Sequence, residues 1–216
     1  GDTSELDGAD INNDGEVNIL DVVQLVNIIL GVPENTVIDI DGNVYETVQI
    51  GDQLWMAENL KVTHYNDGSE IQNITNNGDW SNLSAGAYVN YDNNPSNSET
   101  YGRLYNWYTV DDDRGVCPDG YHVPADAEYT VLTEFLGGEN GAGGKMKEAG
   151  LDHWNSPNMG ATNESGFTGL PAGSRYNNGG NYYSMDYYGF FWSSSVSSSD
   201  DAWCRLLDYS DSDVNR

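Results

Sequence analysis

Twelve residues near the start of the chain, Asp10-Ile11-Asn12-Asn13-Asp14-Gly15-Glu16-Val17-Asn18-Ile19-Leu20-Asp21, put oxygen-bearing side chains at their first, third, fifth, ninth and twelfth positions. A fold that draws these groups toward one point must neutralise the carboxylates of Asp10, Asp14 and Asp21, and a hard cation does so. Ca2+ takes about six to eight oxygen ligands in a flexible shell, whereas Mg2+ demands a tighter octahedron and holds its waters. Gly15 at the sixth position permits the sharp turn, and Glu16 at the seventh offers its backbone carbonyl. The expected ion is Ca2+, and the candidate ligands are Asp10, Asn12, Asp14, Glu16, Asn18 and Asp21. Val17 is expected to point inward and anchor the loop.

This is the ligand spacing of an EF-hand loop, and a match at every ligand position favours it over an acidic, Asn-rich turn at a helix start. The run that follows, Ile19 to Leu30, is apolar except for Asp21, Gln24 and Asn27, a narrow polar stripe spaced by three. A helix of that pattern is expected to be covered on most sides. It is too short and too interrupted to cross a bilayer. The surface that covers it is expected to be the larger part of the chain, a second repeat, or another copy of the protein.

Gly31 and Pro33 end that helix, and from Val37 the texture changes to aromatic, Asn-rich and Gly-rich segments, dividing the chain into residues 1–36 and 37–216. The first part carries eight acidic residues and no Lys or Arg. Over the whole chain, 35 acidic side chains against 8 basic ones give a net charge of −27. That field repels phosphate backbones and anionic lipid, so nucleic acid is not an expected partner. It attracts cations and fits an extracellular or saline setting. A chain starting at Gly1 also fits a leader peptide already removed.

The larger part reads as short strands between turns. Runs at Val44 to Ile50, Ala87 to Tyr91, Tyr182 to Met185 and Phe190 to Ser194 are strand-like, and Asp41-Gly42, Asn77-Gly78 and Asn178-Gly179 are turn pairs. One helix interrupts them. Asp126 is placed to cap it, Glu128 lies in its first turn, Tyr129, Leu132, Phe135 and Leu136 form its apolar stripe, and Gly137-Gly138 ends it. The expected class is α+β, with short strands and long loops.

Residues Asp10 to Gly31 resemble one repeat of a type I dockerin, the calcium-dependent module that docks onto cohesin domains. On that resemblance Asp10, Asn12, Asp14, Asn18 and Asp21 are the side-chain ligands. The positions after the ninth ligand are often hydroxyl-bearing in dockerins and are Ile19 and Leu20 here, which points away from cohesin as the partner.

A second resemblance covers residues 37–216. It is carried in order by Asp41-Gly42-Asn43-Val44-Tyr45, Ile50-Gly51-Asp52-Gln53-Leu54-Trp55-Met56-Ala57-Glu58-Asn59-Leu60, Gly102-Arg103-Leu104-Tyr105-Asn106-Trp107 and Cys117-Pro118-Asp119-Gly120-Tyr121-His122-Val123-Pro124. Ala127-Glu128-Tyr129, Gly166-Phe167, Leu170-Pro171-Ala172-Gly173 and Phe191-Trp192-Ser193-Ser194 complete the series. Together these resemble the Fibrobacter succinogenes major paralogous domain, which implies a secreted or surface protein of a bacterium. His122-Val123-Pro124 with Ala127-Glu128-Tyr129 is also similar to the helix-opening signature of formylglycine-generating proteins, which implies a C-type-lectin-like fold. The reactive cysteine pair of those enzymes and the sugar-binding triplets of calcium-dependent lectins are not recognisable. The family usually closes with a Cys-containing strand, and this sequence ends at Arg216 without one, which implies an open sheet edge and leaves Cys117 either free or paired with Cys204.

Cys117 and Cys204 lack CxxC spacing, so a single disulfide and two buried free thiols are the alternatives open from spacing alone. His64, His122 and His153 are widely separated and flank no nucleophile of catalytic type. Trp55, Trp107, Trp192 and Trp203 are expected in the core, and Tyr182, Tyr183, Tyr187 and Tyr188 around Gly189 are candidate sugar-stacking rings. Asp111 to Asp113 reads as a solvated loop, with an auxiliary cation site as the lesser reading.

The expectation is a non-enzymatic, extracellular or cell-surface protein with bound Ca2+, serving assembly or adhesion. It would meet a protein partner or its own copies, in a filament or lattice, through the apolar helix Ile19 to Leu30 or an open sheet edge. The alternative is a carbohydrate-binding module of a polysaccharide-degrading system.

Overall fold

The computed structural model describes Ile11, Val17, Asp21, Val22, Leu25, Ile29 and residues 34–197 and 202–216. The chain forms two compact units, Gly1–Thr36 and Val37–Arg216. In the first, Asp21, Val22, Leu25 and Ile29 are helical.

The larger unit is a mixed α+β domain of small sheets. Strands β1 (Thr36–Ile38), β2 (Val44–Ile50) and β3 (Gln53–Met56) form one sheet in that order, with Gly51 at the β2–β3 turn in the left-handed region, φ +60°. β4 (Gln72–Asn73), β5 (Ala87–Val89) and β6 (Leu104–Tyr105) form a second. β7 (Ser174–Arg175) pairs with β8 (Tyr182–Tyr183). β9 (Tyr188–Val196), β10 (Ala202–Asp208) and β11 (Val214–Asn215) form the last sheet, ordered β11-β10-β9. The helices are α1 (Asn77–Ser81), α2 (Pro95–Tyr101), α3 (Trp107–Val110), α4 (Asp126–Phe135) and α5 (Glu139–Met146). None of the described helices is long and apolar enough to cross a membrane.

The main core joins both ends of this unit. Ile50 and Trp55 from the β2–β3 hairpin, Tyr129, Leu132 and Leu136 from α4, Met146 from α5, and Leu207 and Val214 from the last sheet pack with Trp154 and Phe167. Four of its eleven buried residues, Trp55, Tyr129, Trp154 and Phe167, are large aromatics. Two smaller clusters, around Tyr65 and Val116 and around Trp80 and Val89, sit beneath the loops.

Several local expectations are corrected. Asn77-Gly78 opens α1 and is not a turn, because the Asn76 side chain accepts from Gly78 N at 2.8 Å and Asp79 N at 3.0 Å and so caps a helix. Ala125 occupies the cap position of α4. Asp126 is its first helical residue and turns its carboxylate to Arg205, while Glu128 reaches back to Ala125 N at 2.7 Å. Phe135 is 63% exposed, leaving Tyr129, Leu132 and Leu136 as the buried stripe. The run at 182 stops after Tyr183 because Ser184 has φ +69°. The run at 87 stops at Val89, where a 3-10 turn begins at Tyr91. Trp55 is buried as expected, but Trp107 and Trp203 are half-buried and Trp192 is exposed.

The scarce cations are all engaged within the fold. Lys61 pairs with Glu58, Arg114 with Asp112, Lys145 with Glu164, and both Arg205 and Arg216 with Asp126. Arg103, Lys147 and Arg175 donate to backbone carbonyls. The outer surface is therefore acidic, and anionic ligands meet no unengaged basic side chain.

Candidate functional site

Of the six candidate calcium ligands, Asp21 is described; Asp10, Asn12, Asp14, Glu16 and Asn18 lie outside the described residues. Asp21 is buried, and its Oδ1 accepts the Ile11 N–H at 2.7 Å, joining the twelfth position of the loop to the second. Val17, expected inward, is exposed. Val22, Leu25 and Ile29, spaced by three and four, are 52, 44 and 73% exposed. Among the described residues, no three His, Cys, Asp or Glu side chains are grouped to hold a metal.

The larger unit holds a broad, mainly apolar cleft of about 490 Å³. β3 and β9 form two of its walls, buried Tyr129, Phe167 and Ala172 form its floor, and Tyr101, Tyr121 and exposed His122 stand at its rim. Phe167 carries the floor, with Trp55 of β3 at 5.8 Å and Phe191 of β9 at 5.5 Å between ring centroids, both edge-on. The next residue, Thr168, is β-branched yet sits at φ +54°. Asn163 holds it there, accepting its N–H at 2.9 Å and donating to its hydroxyl at 3.0 Å.

Polar groups around the cleft are already committed. Burial pushes the Glu128 carboxyl upward, but the Ala125 N–H and His122 outweigh it and hold it below its usual range. Cys117 lines the cleft as a free thiol, and burial pushes its pKa up to about 12, which makes it a poor nucleophile. Cys204 is also a free thiol, and both cysteines are half-buried rather than buried as the second alternative had them.

Each histidine meets a carboxylate. His64 pairs with Asp41, His122 with Glu128 and His153 with Glu148. The Asp41–His64–Thr63 group has the composition of a relay, but Asp41 and the Thr63 hydroxyl both approach Nδ1, at 2.5 and 3.2 Å. A relay needs the orienting acid and the nucleophile on opposite ring nitrogens. Asp112 in the acidic loop is taken up by Arg114, at 2.8 and 2.7 Å.

The tyrosines do not make one flat platform. Tyr187 stands edge-on to Tyr209 at 87° and Tyr183 edge-on to Tyr176 at 80°. The cleft itself was missed by sequence reasoning: β9 was read as a strand in part, at Phe190 to Ser194, while β3 was not among the strand-like runs. Nothing local reports that residues 53–56 and 188–196 stand across from each other.

The class these features define is a loop-rich α+β domain with an aromatic-floored cleft and an acidic surface. Residues 48–216 match the family model described as Fibrobacter succinogenes major domain, and the chain belongs to that family. No curated protein and no solved structure matches the chain.

Proposed function

We propose that this is an extracellular, calcium-binding assembly or adhesion protein. In this reading residues 10–21 close around Ca2+ through Asp10, Asn12, Asp14, the Glu16 carbonyl, Asn18 and Asp21, a set of hard oxygen donors suited to that ion. The observation that carries it is the bond from Ile11 N to Asp21 Oδ1, which draws the two ends of the loop together as a shared ion requires. The ion orders the loop, and the helix after it presents Val22, Leu25 and Ile29 for docking. The α+β domain is read as C-type-lectin-like and serves as the displayed body.

Calorimetric titration with Ca2+, followed by melting and sedimentation in EDTA, tests this. Binding at one site, a lower melting temperature in EDTA and weaker association are expected. No heat of binding, with unchanged melt and sedimentation, overturns it.

The carbohydrate-binding alternative draws on the cleft, where Tyr101, Tyr121 and Trp192 surround a space with Glu58 and Asn59 at its border. A glycan array decides it, with retention of any sugar required.

A further inference from the structure

Of the two strands that wall the cleft, β3 has an unpaired edge and β9 a partly paired one. β3 is an edge strand whose only sheet neighbour is β2. Its ladder runs through Gln53 and Trp55 and continues at Ala57, whose N–H donates to Glu46 O at 2.8 Å. Because an antiparallel ladder alternates sides, the N–H and C=O groups of Leu54 and Met56 point away from β2. Among the described residues they have no hydrogen-bond partner.

Among the described strands β9 pairs with β10 alone, and its other edge carries an isolated parallel bridge from Gly189 to Gly173. Tyr209 N donates to Tyr187 O at 3.0 Å, which sets the odd-numbered residues of β9 toward β10 and the even-numbered ones away. On that other edge Tyr188 O accepts from Gly173 N, Trp192 O accepts from the Tyr129 hydroxyl, and Ser194 N donates to Pro124 O. Between those contacts, the Phe190 C=O and Trp192 N–H meet no partner among the described residues.

Trp55 of β3 and Phe191 of β9 both meet Phe167 edge-on, at 5.8 and 5.5 Å between ring centroids, so the two strands share one aromatic floor. Exposed Leu54, Phe190 and Trp192 would be covered by a strand laid in the cleft. The described strands of this chain are already paired in the four sheets, so they do not supply it.

We propose that the cleft between β3 and β9 is a strand-acceptor site, which takes an extended segment of another polypeptide and joins the two small sheets into one. The segment is apolar on the side facing Phe167, because the floor is aromatic and apolar. Its ends are basic, because the surrounding surface belongs to a chain of net charge −27 whose own cations are internally engaged. Insertion satisfies the free groups of Leu54 and Met56 on β3 together with the Phe190 C=O and Trp192 N–H of β9, which gives it more backbone hydrogen bonds than addition to β3 alone. This goes beyond the calcium-dependent reading and does not rest on it.

The test uses a synthetic peptide of alternating valine and threonine with lysines at both ends, titrated onto the full chain in Ca2+ and again in EDTA. Saturable binding is expected in both, so a failure of the calcium reading leaves this one standing. The same peptide with N-methylated backbone amides should not bind. Leu54→Pro, which removes a donor that the β2–β3 ladder does not use, should weaken binding about fivefold, the loss of one hydrogen bond. Bound peptide should slow alkylation of Cys117 at alkaline pH and leave Cys204 unaffected. No binding, equal binding of the N-methylated peptide, or shielding of Cys204 in place of Cys117 overturns the proposal. Self-association of the chain that the peptide dissolves overturns the choice of occupant in favour of a second copy.

Discussion

Arg205 donates from Nη1 to Asp126 Oδ1 across 2.7 Å, tying the middle strand of the last sheet to the first turn of α4. Arg205 is almost fully buried, and the other oxygen of Asp126 takes Arg216 at 2.7 Å. Removing one partner strands a buried charge, and that cost exceeds what the intact pair contributes. Asp126→Ala should therefore destabilise the domain by about 3–5 kcal/mol. Arg216→Ala removes only the exposed partner and should cost about 1 kcal/mol or less. Urea unfolding of the two variants checks the contrast, and equal losses would contradict it.

Lys147 stands where three backbone carbonyls converge, donating from Nζ to Met159 O at 3.0 Å and to Asp208 O and Asp211 O at 2.6 Å each. It holds the turn after β10 to the segment after α5. Lys147→Met keeps the volume and leaves those carbonyls without their donor, at about 3 kcal/mol or more. The expected readout is a lower urea midpoint with an unchanged slope.

Burial also lowers the Lys147 pKa from the ordinary 10.5 to about 8, against the opposing pull of Asp211 and Asp208. The folded-state value is depressed, so between about pH 8 and 10.5 the unfolded chain binds more protons at this site than the folded chain. The Lys147 contribution to stability therefore rises with pH across that window. The stability difference between the native chain and Lys147→Met should widen as pH rises, and a difference that narrows would refute the assignment.

Gly143 lies against the carbonyl of Asp213, beside β11, so that a Cβ at this position would overlap backbone atoms. Gly144 N donates to Ser212 O at 2.9 Å in the same contact. Gly143→Ala should displace the C-terminal strand at a cost of about 1–3 kcal/mol. Faster limited proteolysis near residue 212, with the rest of the domain protected, is the expected signature.

In the smaller unit, Asp21→Ala removes the carboxylate that holds Ile11 N and, in the calcium reading, one ligand. Calcium in hundredfold excess over its Kd stabilises by about 2.7 kcal/mol, and the variant should lose most of that increment. Asp21→Asn keeps an acceptor for Ile11 and should weaken calcium affinity with a smaller effect in EDTA. Calorimetry and thermal melts with and without Ca2+ separate the two roles.

How far the sequence reaches is clear from particular elements. Val44–Ile50 was legible to the residue, as a β-branched and aromatic run following the Asp41-Gly42 turn pair. α4 was legible from its period, although its cap was misplaced by one residue because Asp126 has a stronger partner in Arg205, 79 positions away. Asn77-Gly78 reads as a turn until Asn76 is seen to cap a helix. Phe135 fits the helical stripe but faces outward, because the stripe that α4 buries is set by what packs on it.

By itself the sequence determined what short-range chemistry determines: the oxygen spacing of residues 10–21, the apolar run after it, the acidic surface, and a chain of brief strands between turns. Only the tertiary structure decided which edges stay open, where the few cations are spent, and that β3 and β9 face one cleft over Phe167. The reason is physical. Turn geometry, periodicity and charge depend on neighbours a few residues away, while pairing and burial depend on groups that the chain brings together from more than a hundred positions apart.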